Sequence, residues 1–213
     1  MLGSHISDRS WGTRYDDQGI AYAELLLIIP ILLTLLFGSF EVSRYLRISE
    51  SVSEMSRTIG EQVYRECLGL PDSTSVSNCI TTSVQPAVVN SKISALTGMQ
   101  VVITVWRNTS SPSTPDIRRI YYAGFKDNGS GTAVNVAASY PANTHYDGST
   151  PTAASNPMLY KAIINNYKQL TASPSNLFVG GVAIIEVTTP YQPILSHVMS
   201  YLNLAQVYEQ TIY

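Results

Sequence analysis

An acidic side chain stands where hydrocarbon would exclude it. Glu24 lies inside the otherwise uncharged apolar run Ile20–Phe40, IAYAELLLIIPILLTLLFGSF, five positions after Gly19. A carboxylate at membrane depth is costly unless paired, so Glu24 predicts a cationic partner met on assembly. The competing reading is a carboxylate that reaches back to the membrane interface in a plain single-span protein. Cys67 and Cys79 offer a second chemistry. If the bulk of the chain lies outside a membrane, as the apolar run suggests, they read best as one disulfide closing a small loop, with free thiols or metal ligation as the alternatives. His5, His145 and His197 are scattered and no CxxC is present, which gives a zinc site little support. Asp127 and Asn128 supply too few oxygens for calcium. Glu186 and His197 invite an acid–base reading, but a solvent-facing strand carboxylate and an isolated helix histidine account for them. No P-loop, nucleophile elbow, HExxH or dinucleotide fingerprint occurs, so no enzyme, metal or cofactor is expected.

The elements that must position these residues follow from periodicity. At a rise of about 1.5 Å per residue, the run from Ile20 to Phe40 makes a helix of about 31 Å, enough to cross a bilayer core once. A secretory signal has a shorter apolar core and a small-residue cleavage site, whereas this run ends in Gly38, Ser39, Phe40 and Glu41. Pro30 removes one backbone donor, frees the carbonyl of Leu26, and is expected to kink the rod. Beyond the membrane, Tyr45, Ile48, Val52, Met55, Ile59 and Val63 recur at three- and four-residue steps. They predict an amphipathic stalk over 41–66 that packs on a globular head.

The head, 67–213, reads as one modest domain. Met99–Arg107, Arg119–Phe125 and Val179–Thr188 are candidate strands, rich in β-branched and aromatic residues. Pro157–Leu170 reads as a helix begun by an Asn156 cap, with Leu159, Ile163 and Tyr167 in step. The segment from Gln192 to Glu209 reads as helical at first and strand near its end. Asn108–Asp116 and Lys126–Asn156 are rich in Ser, Thr, Asn, Pro and Gly, and read as surface loops. The fold class expected is α+β, a long N-terminal hydrophobic and amphipathic helix packed on a small antiparallel sheet.

Gly19 directly before the run, Glu24 after it, and a short polar leader over 1–19 resemble the processing site of type IV pilin-like proteins. The fuller string GIAYAELLLIIPILLTLLFGSFEVSR is similar to the TadE-like minor pilins of the tight-adherence pilus, through Gly19, Glu24, the Leu/Ile block with Pro30, and the Gly38–Arg44 exit. The late segment VAIIEVTTPYQPIL, Val182–Leu195, is similar to that family's last strand and Pro-Tyr turn. The resemblance implies a structural pilus subunit, held in the bacterial inner membrane with a cytoplasmic N-terminus before assembly and lying in the periplasm or on the cell surface afterwards. It implies cleavage between Gly19 and Ile20 by a membrane-embedded prepilin peptidase. Its implied partners are other pilin subunits, the inner-membrane assembly platform and, before assembly, membrane lipid. The new Ile20 amine would then be the cation that Glu24 of a neighbouring subunit meets. A single-span envelope protein that never assembles, and a type II secretion pseudopilin, are the alternative readings.

Whole-chain properties agree with this division. With 213 residues, a net charge of −2 and 13% charged residues, the chain carries no basic field for nucleic acid. Arg9 and Arg14 precede the apolar run, and Arg44 and Arg47 follow it, so the count of basic residues leaves the orientation undecided and the processing motif sets it.

Overall fold

The structure, a computed structural model, describes residues 14–90, 98–110, 114–127, 133–136, 149–170, 177–191, 193 and 206–213. Helix α1 covers Arg14–Gln62 and is followed by a π-helical turn, Val63–Cys67. By its contacts the chain divides into two compact units, Met1–Arg44 and Tyr45–Tyr213.

In the first unit α1 carries the apolar run. This is the one described helix long and apolar enough to cross a membrane, with a mean hydropathy of 2.4 over its most apolar stretch. Its large side chains face outward, from Leu25 and Leu26 to Phe37 and Phe40.

The second unit is built on a five-stranded antiparallel sheet, β1 (Gln100–Asn108), β2 (Ile117–Asp127), β3 (Ala133–Val136), β6 (Val182–Pro190) and β7 (Gln206–Ile212), in the order β3-β2-β1-β6-β7. A separate hairpin joins β4 (Tyr167–Leu170) to β5 (Leu177–Gly180). Alternation along the strands sends their side chains to two faces. On one face Val101, Ile103 and Val105 of β1 lie opposite Val187, Ile185 and Ala183 of β6. There they meet the stripe Val52, Met55, Ile59 and Val63, with Tyr45 and Ile48 packed at its margin, so the amphipathic segment of α1 forms one side of the core. On the other face Trp106, Val182 and Ile184 pack against Leu159 and Ile163 of α4 (Pro157–Asn165). The expected α+β arrangement, a long helix on an antiparallel sheet, is the one observed.

Three local expectations need correction. The helix starting at Asn156 does begin there, where the Asn156 side chain accepts from Leu159 N at 3.2 Å, but it stops at Asn165 rather than running to Leu170. Asn166 leaves helical geometry, and Tyr167–Leu170 instead satisfies its backbone by pairing with β5. The single strand expected over Val179–Thr188 is two strands. Gly180 and Gly181 both take positive φ, 99° and 137°, and a Cβ on Gly181 would lie 2.2 Å from the Trp106 carbonyl oxygen, so only glycine passes there. The loop expected over Lys126–Asn156 contains β3, which pairs with Gly124–Asp127 of β2.

The stretch between the cysteines, expected to be closed into a small loop by their disulfide, is partly helical. Asp72 caps α2 (Ser73–Cys79) by accepting from Ser75 N at 2.8 Å, and a π-helical turn, Ile80–Val84, leads into α3 (Gln85–Asn90). Val76, Ile80, Val84 and Val88 recur every fourth residue and are all buried in the main core. Strand β7 matches the strand expected at the end of Gln192–Glu209; the helical part of that expectation lies outside the described residues.

Candidate functional site

Gly19 and Ile20 fall within the helical backbone of α1. Glu24 is exposed, among exposed Leu and Ile side chains. Pro30 lies inside the same helix, and the Thr34 hydroxyl donates to its carbonyl at 2.7 Å, so this threonine satisfies its own polar group locally instead of presenting it to lipid. Around Gly38, where an added Cβ would meet no atom within 4 Å, Leu36, Phe37, Ser39, Phe40 and Ser43 line a shallow, mainly apolar hollow. Ser39 likewise donates back to Leu36 O at 2.8 Å. Glu41, at the exit of the run, is buried and holds interactions of its own. The sum is a long apolar surface with one carboxylate and its hydroxyls turned inward, which suits lipid or a second apolar helix.

In the head, Cys67 and Cys79 form a disulfide with S–S 2.00 Å. It ties the π-helical end of the stalk to the end of α2. Beside it lies a residue that the sequence did not single out. Arg107 is 3% exposed, and its guanidinium donates to four backbone carbonyls: Gly180 O at 2.8 Å, Pro71 O at 3.1 Å, Leu68 O at 3.0 Å and Leu70 O at 2.9 Å. Three of those acceptors lie within the disulfide loop, where the chain leaving a helix has carbonyls with no intrahelical partner. Burial pulls the Arg107 pKa down, and the charge of Asp72 opposes that pull. Ser75 holds the Asp72 carboxylate below the usual range through its backbone and hydroxyl hydrogen bonds.

Glu186, expected to face solvent, is fully buried. Both faces of β6 are covered, and its alternation places Glu186 beside Val102 on the face opposite the main core. Burial drives its pKa up to about 7, partly countered by the Tyr208 hydroxyl, which donates to Oε1 at 2.8 Å. Its other oxygen has no hydrogen-bond partner among the described residues. His197, imagined as its acid–base partner, lies outside the described residues, as do His5, His145 and Asn128. Among the described residues no group of three or more His, Cys, Asp or Glu side chains could hold a metal.

A register shift between Val105 and Trp106 skips Ile120, so that Arg119 rather than Ile120 pairs with Trp106. Arg119 then lies over the rings of Trp106 and Tyr122, at 5.9 and 4.7 Å from their centroids. No motif in the sequence announces this bulge.

Residues 19–59, from Gly19 through the apolar run and into the buried stripe of α1, match the family model described as TadE-like protein. No curated protein and no solved structure matches the chain. The segment matched is the same one that carries Glu24, Pro30 and the Gly38 hollow. Over that segment the chain is similar to TadE-like proteins, which is consistent with a protein associated with the Tad pilus.

Proposed function

We propose that this chain is a minor pilin or pseudopilin subunit of a Tad-type pilus, anchored in the inner membrane by α1 and later drawn into a filament. The observation that carries the reading is the TadE-like segment itself: an outward-facing apolar helix broken by one carboxylate, with Gly19 at its head. A prepilin peptidase cuts between Gly19 and Ile20, with the leader on the cytoplasmic side. The new α-amino group has a reference pKa of about 7.7 to 8.0 and is mostly protonated near neutrality. Glu24 of one subunit pairs with that amine on the next, and because either charge left alone in a low dielectric is penalised, the pair sets axial register. Pro30 bends the rod where the Leu26 carbonyl has lost its donor. The head is then displayed outside the membrane, for pilus biogenesis and surface adhesion, in contact with other pilin subunits and the assembly platform.

The mature N-terminus, read by mass spectrometry on material from the native host, tests the first step. Ile20 as first residue is expected; an intact leader on all of the protein would instead leave a single-span anchor. Glu24→Leu tests the second. It is expected to insert in the membrane at parental levels while its recovery in sheared filaments falls at least tenfold, and unchanged recovery would remove Glu24 from the assembly step.

A further inference from the structure

The five-stranded sheet ends at β7, and no described strand pairs with its outer side. Tyr213 and Ala183 exchange both of their backbone hydrogen bonds, at 2.8 and 2.9 Å, and in an antiparallel pair such bonded positions alternate along the strand. Thr211 and Glu209 therefore bond to β6, whereas the N–H and C=O groups of Gln210 and Ile212 point away from it. Those outward groups make no hydrogen bond among the described residues.

An open sheet edge is a template for a further strand unless something blunts it. The sequence of β7, QVYEQTI, contains neither proline nor lysine, and its register with β6 runs without a bulge from Gln206 to Ile212. Ile212 is 52% exposed, so the end of this edge stands in solvent.

The two faces of β7 decide what fits there. Alternation turns Glu209 and Thr211 toward α1, where they accept from the hydroxyls of Ser53 at 3.4 Å and Ser56 at 2.7 Å, and turns Gln210 and Ile212 to the opposite face. On the α1 side runs a solvent-open groove of about 500 Å3, in which Glu50, Glu54, Glu61 and Glu209 stand against Arg57. Arg65 pairs with Glu61, which leaves the groove acidic. A strand added to β7 would send every second side chain toward this groove and the intervening ones alongside Ile212. Lysine or arginine suits the first set, and branched aliphatic residues suit the second. A second copy of this chain fits poorly, because antiparallel pairing of two β7 edges sets both acidic grooves on one face, like charge beside like.

We propose that the β7 edge is a docking site for an extended segment of a partner protein in which basic and branched apolar residues alternate. The β7 backbone supplies the hydrogen bonds and the α1 carboxylates select the charge. All of these residues belong to the second unit, so the site stands whether or not Gly19 is cut or the helix assembles.

Fluorescence anisotropy on the full chain in a neutral detergent, with a labelled Lys-Val-Lys-Val-Lys-Val peptide, tests it. Saturable binding is expected, weakening as salt is added. The same peptide with every amide N-methylated keeps its charge but cannot donate, and is expected to bind about tenfold more weakly. A Glu-Val-Glu-Val-Glu-Val peptide is expected to lose at least as much. Gln210→Pro removes an outward donor while sparing the ladder to β6, and is expected to weaken binding about three- to tenfold. If that variant does not fold, the exposed pair Glu50→Lys and Glu54→Lys takes its place, with a loss of about tenfold. Failure of the lysine peptide to bind overturns the proposal. So does equal binding of the N-methylated peptide, which would reduce the contact to charge alone, or equal binding of the glutamate peptide. A dimer of the full chain that Gln210→Pro dissolves would assign the edge to a second copy and overturn it as well.

Discussion

Glu186 ties the stability of the head to pH. Its unfolded-state pKa is 4.5 and its folded-state value is raised to about 7. Below 4.5 the proton is on in both states and the residue does not oppose folding. As pH rises from 4.5 to 7 the unfolded chain releases its proton first, so stability falls, and above 7 the loss levels off at about 3 kcal/mol. Glu186→Gln, which keeps an acceptor for Tyr208, is expected to be more stable than the parent at pH 8 and no more stable at pH 4. Denaturant midpoints across that range measure the difference, and a constant gap between the two proteins would mean that Glu186 does not titrate as described. Arg107 acts on geometry instead. Arg107→Met takes the guanidinium from four carbonyls, of which Leu68 O keeps the Gly180 N–H at 3.1 Å, and is expected to cost about 3 kcal/mol. Arg107→Lys is expected to recover less than half of that, because an ammonium cannot reach several carbonyls with a fixed fork. Equal stability of the Arg107→Lys variant and the parent in urea would show that charge alone suffices.

Elements in the head hold one another through contacts remote in sequence. Gly60, inside α1, costs about 1 kcal/mol against alanine by propensity. Its reason is Tyr213, whose ring would lie 2.1 Å from an added Cβ. The Tyr213 hydroxyl donates to Arg57 O at 2.9 Å, and its backbone exchanges hydrogen bonds with Ala183 at 2.8 and 2.9 Å, which fastens helix to sheet. Gly60→Ala is therefore expected to lower stability by about 1 kcal/mol despite better helix propensity. Adding Tyr213→Ala should reverse the sign of that same substitution, and a double-mutant cycle with no coupling would exclude the contact.

Much of this level was legible in the sequence. The Tyr45–Val63 stripe and the Met99–Arg107 strand follow from period, and the start of α4 follows from its Asn156 cap. The Asp72 cap followed by Val76, Ile80 and Val84 was an available signal for the helix between the cysteines, masked by its Ser and Thr content, which reads as loop. The end of α4 was not legible, because Tyr167 continues a helical pattern while β5, which captures it, is distant. Glu186 sits on an alternating strand whose second face reads as wet; its burial, like the carbonyl nest around Arg107, depends on elements far away in the chain.

At the scale of the whole molecule, chemistry is segregated. The long run of exposed Leu, Ile and Phe side chains belongs to Met1–Arg44, whereas the two hydrophobic clusters belong to Tyr45–Tyr213. The second unit should therefore fold without the first. A chain starting at Tyr45 is expected to stay in the aqueous phase as a monomer with its disulfide formed, whereas the full chain partitions into detergent. Phase separation in Triton X-114 compares them directly, and aggregation of the shortened chain would show that its core needs the removed helix. The same segregation explains why the resemblance to known proteins was concentrated where it was. On the proposed reading, membrane and assembly chemistry restricts the apolar rod, while a head needs only a packed interior and is free in its surface and loops.

The Cys67–Cys79 bond gives the cell biologist a compass. Thiols are kept reduced in cytosol and are joined in oxidising compartments, so, under the proposed anchoring, the pair records which side of the membrane the head has reached. Two basic residues on either flank of the apolar run give no bearing of their own. Alkylating living cells and counting blocked against bridged sulfurs would supply one, and a pulse-chase version would date the crossing of each newly made chain.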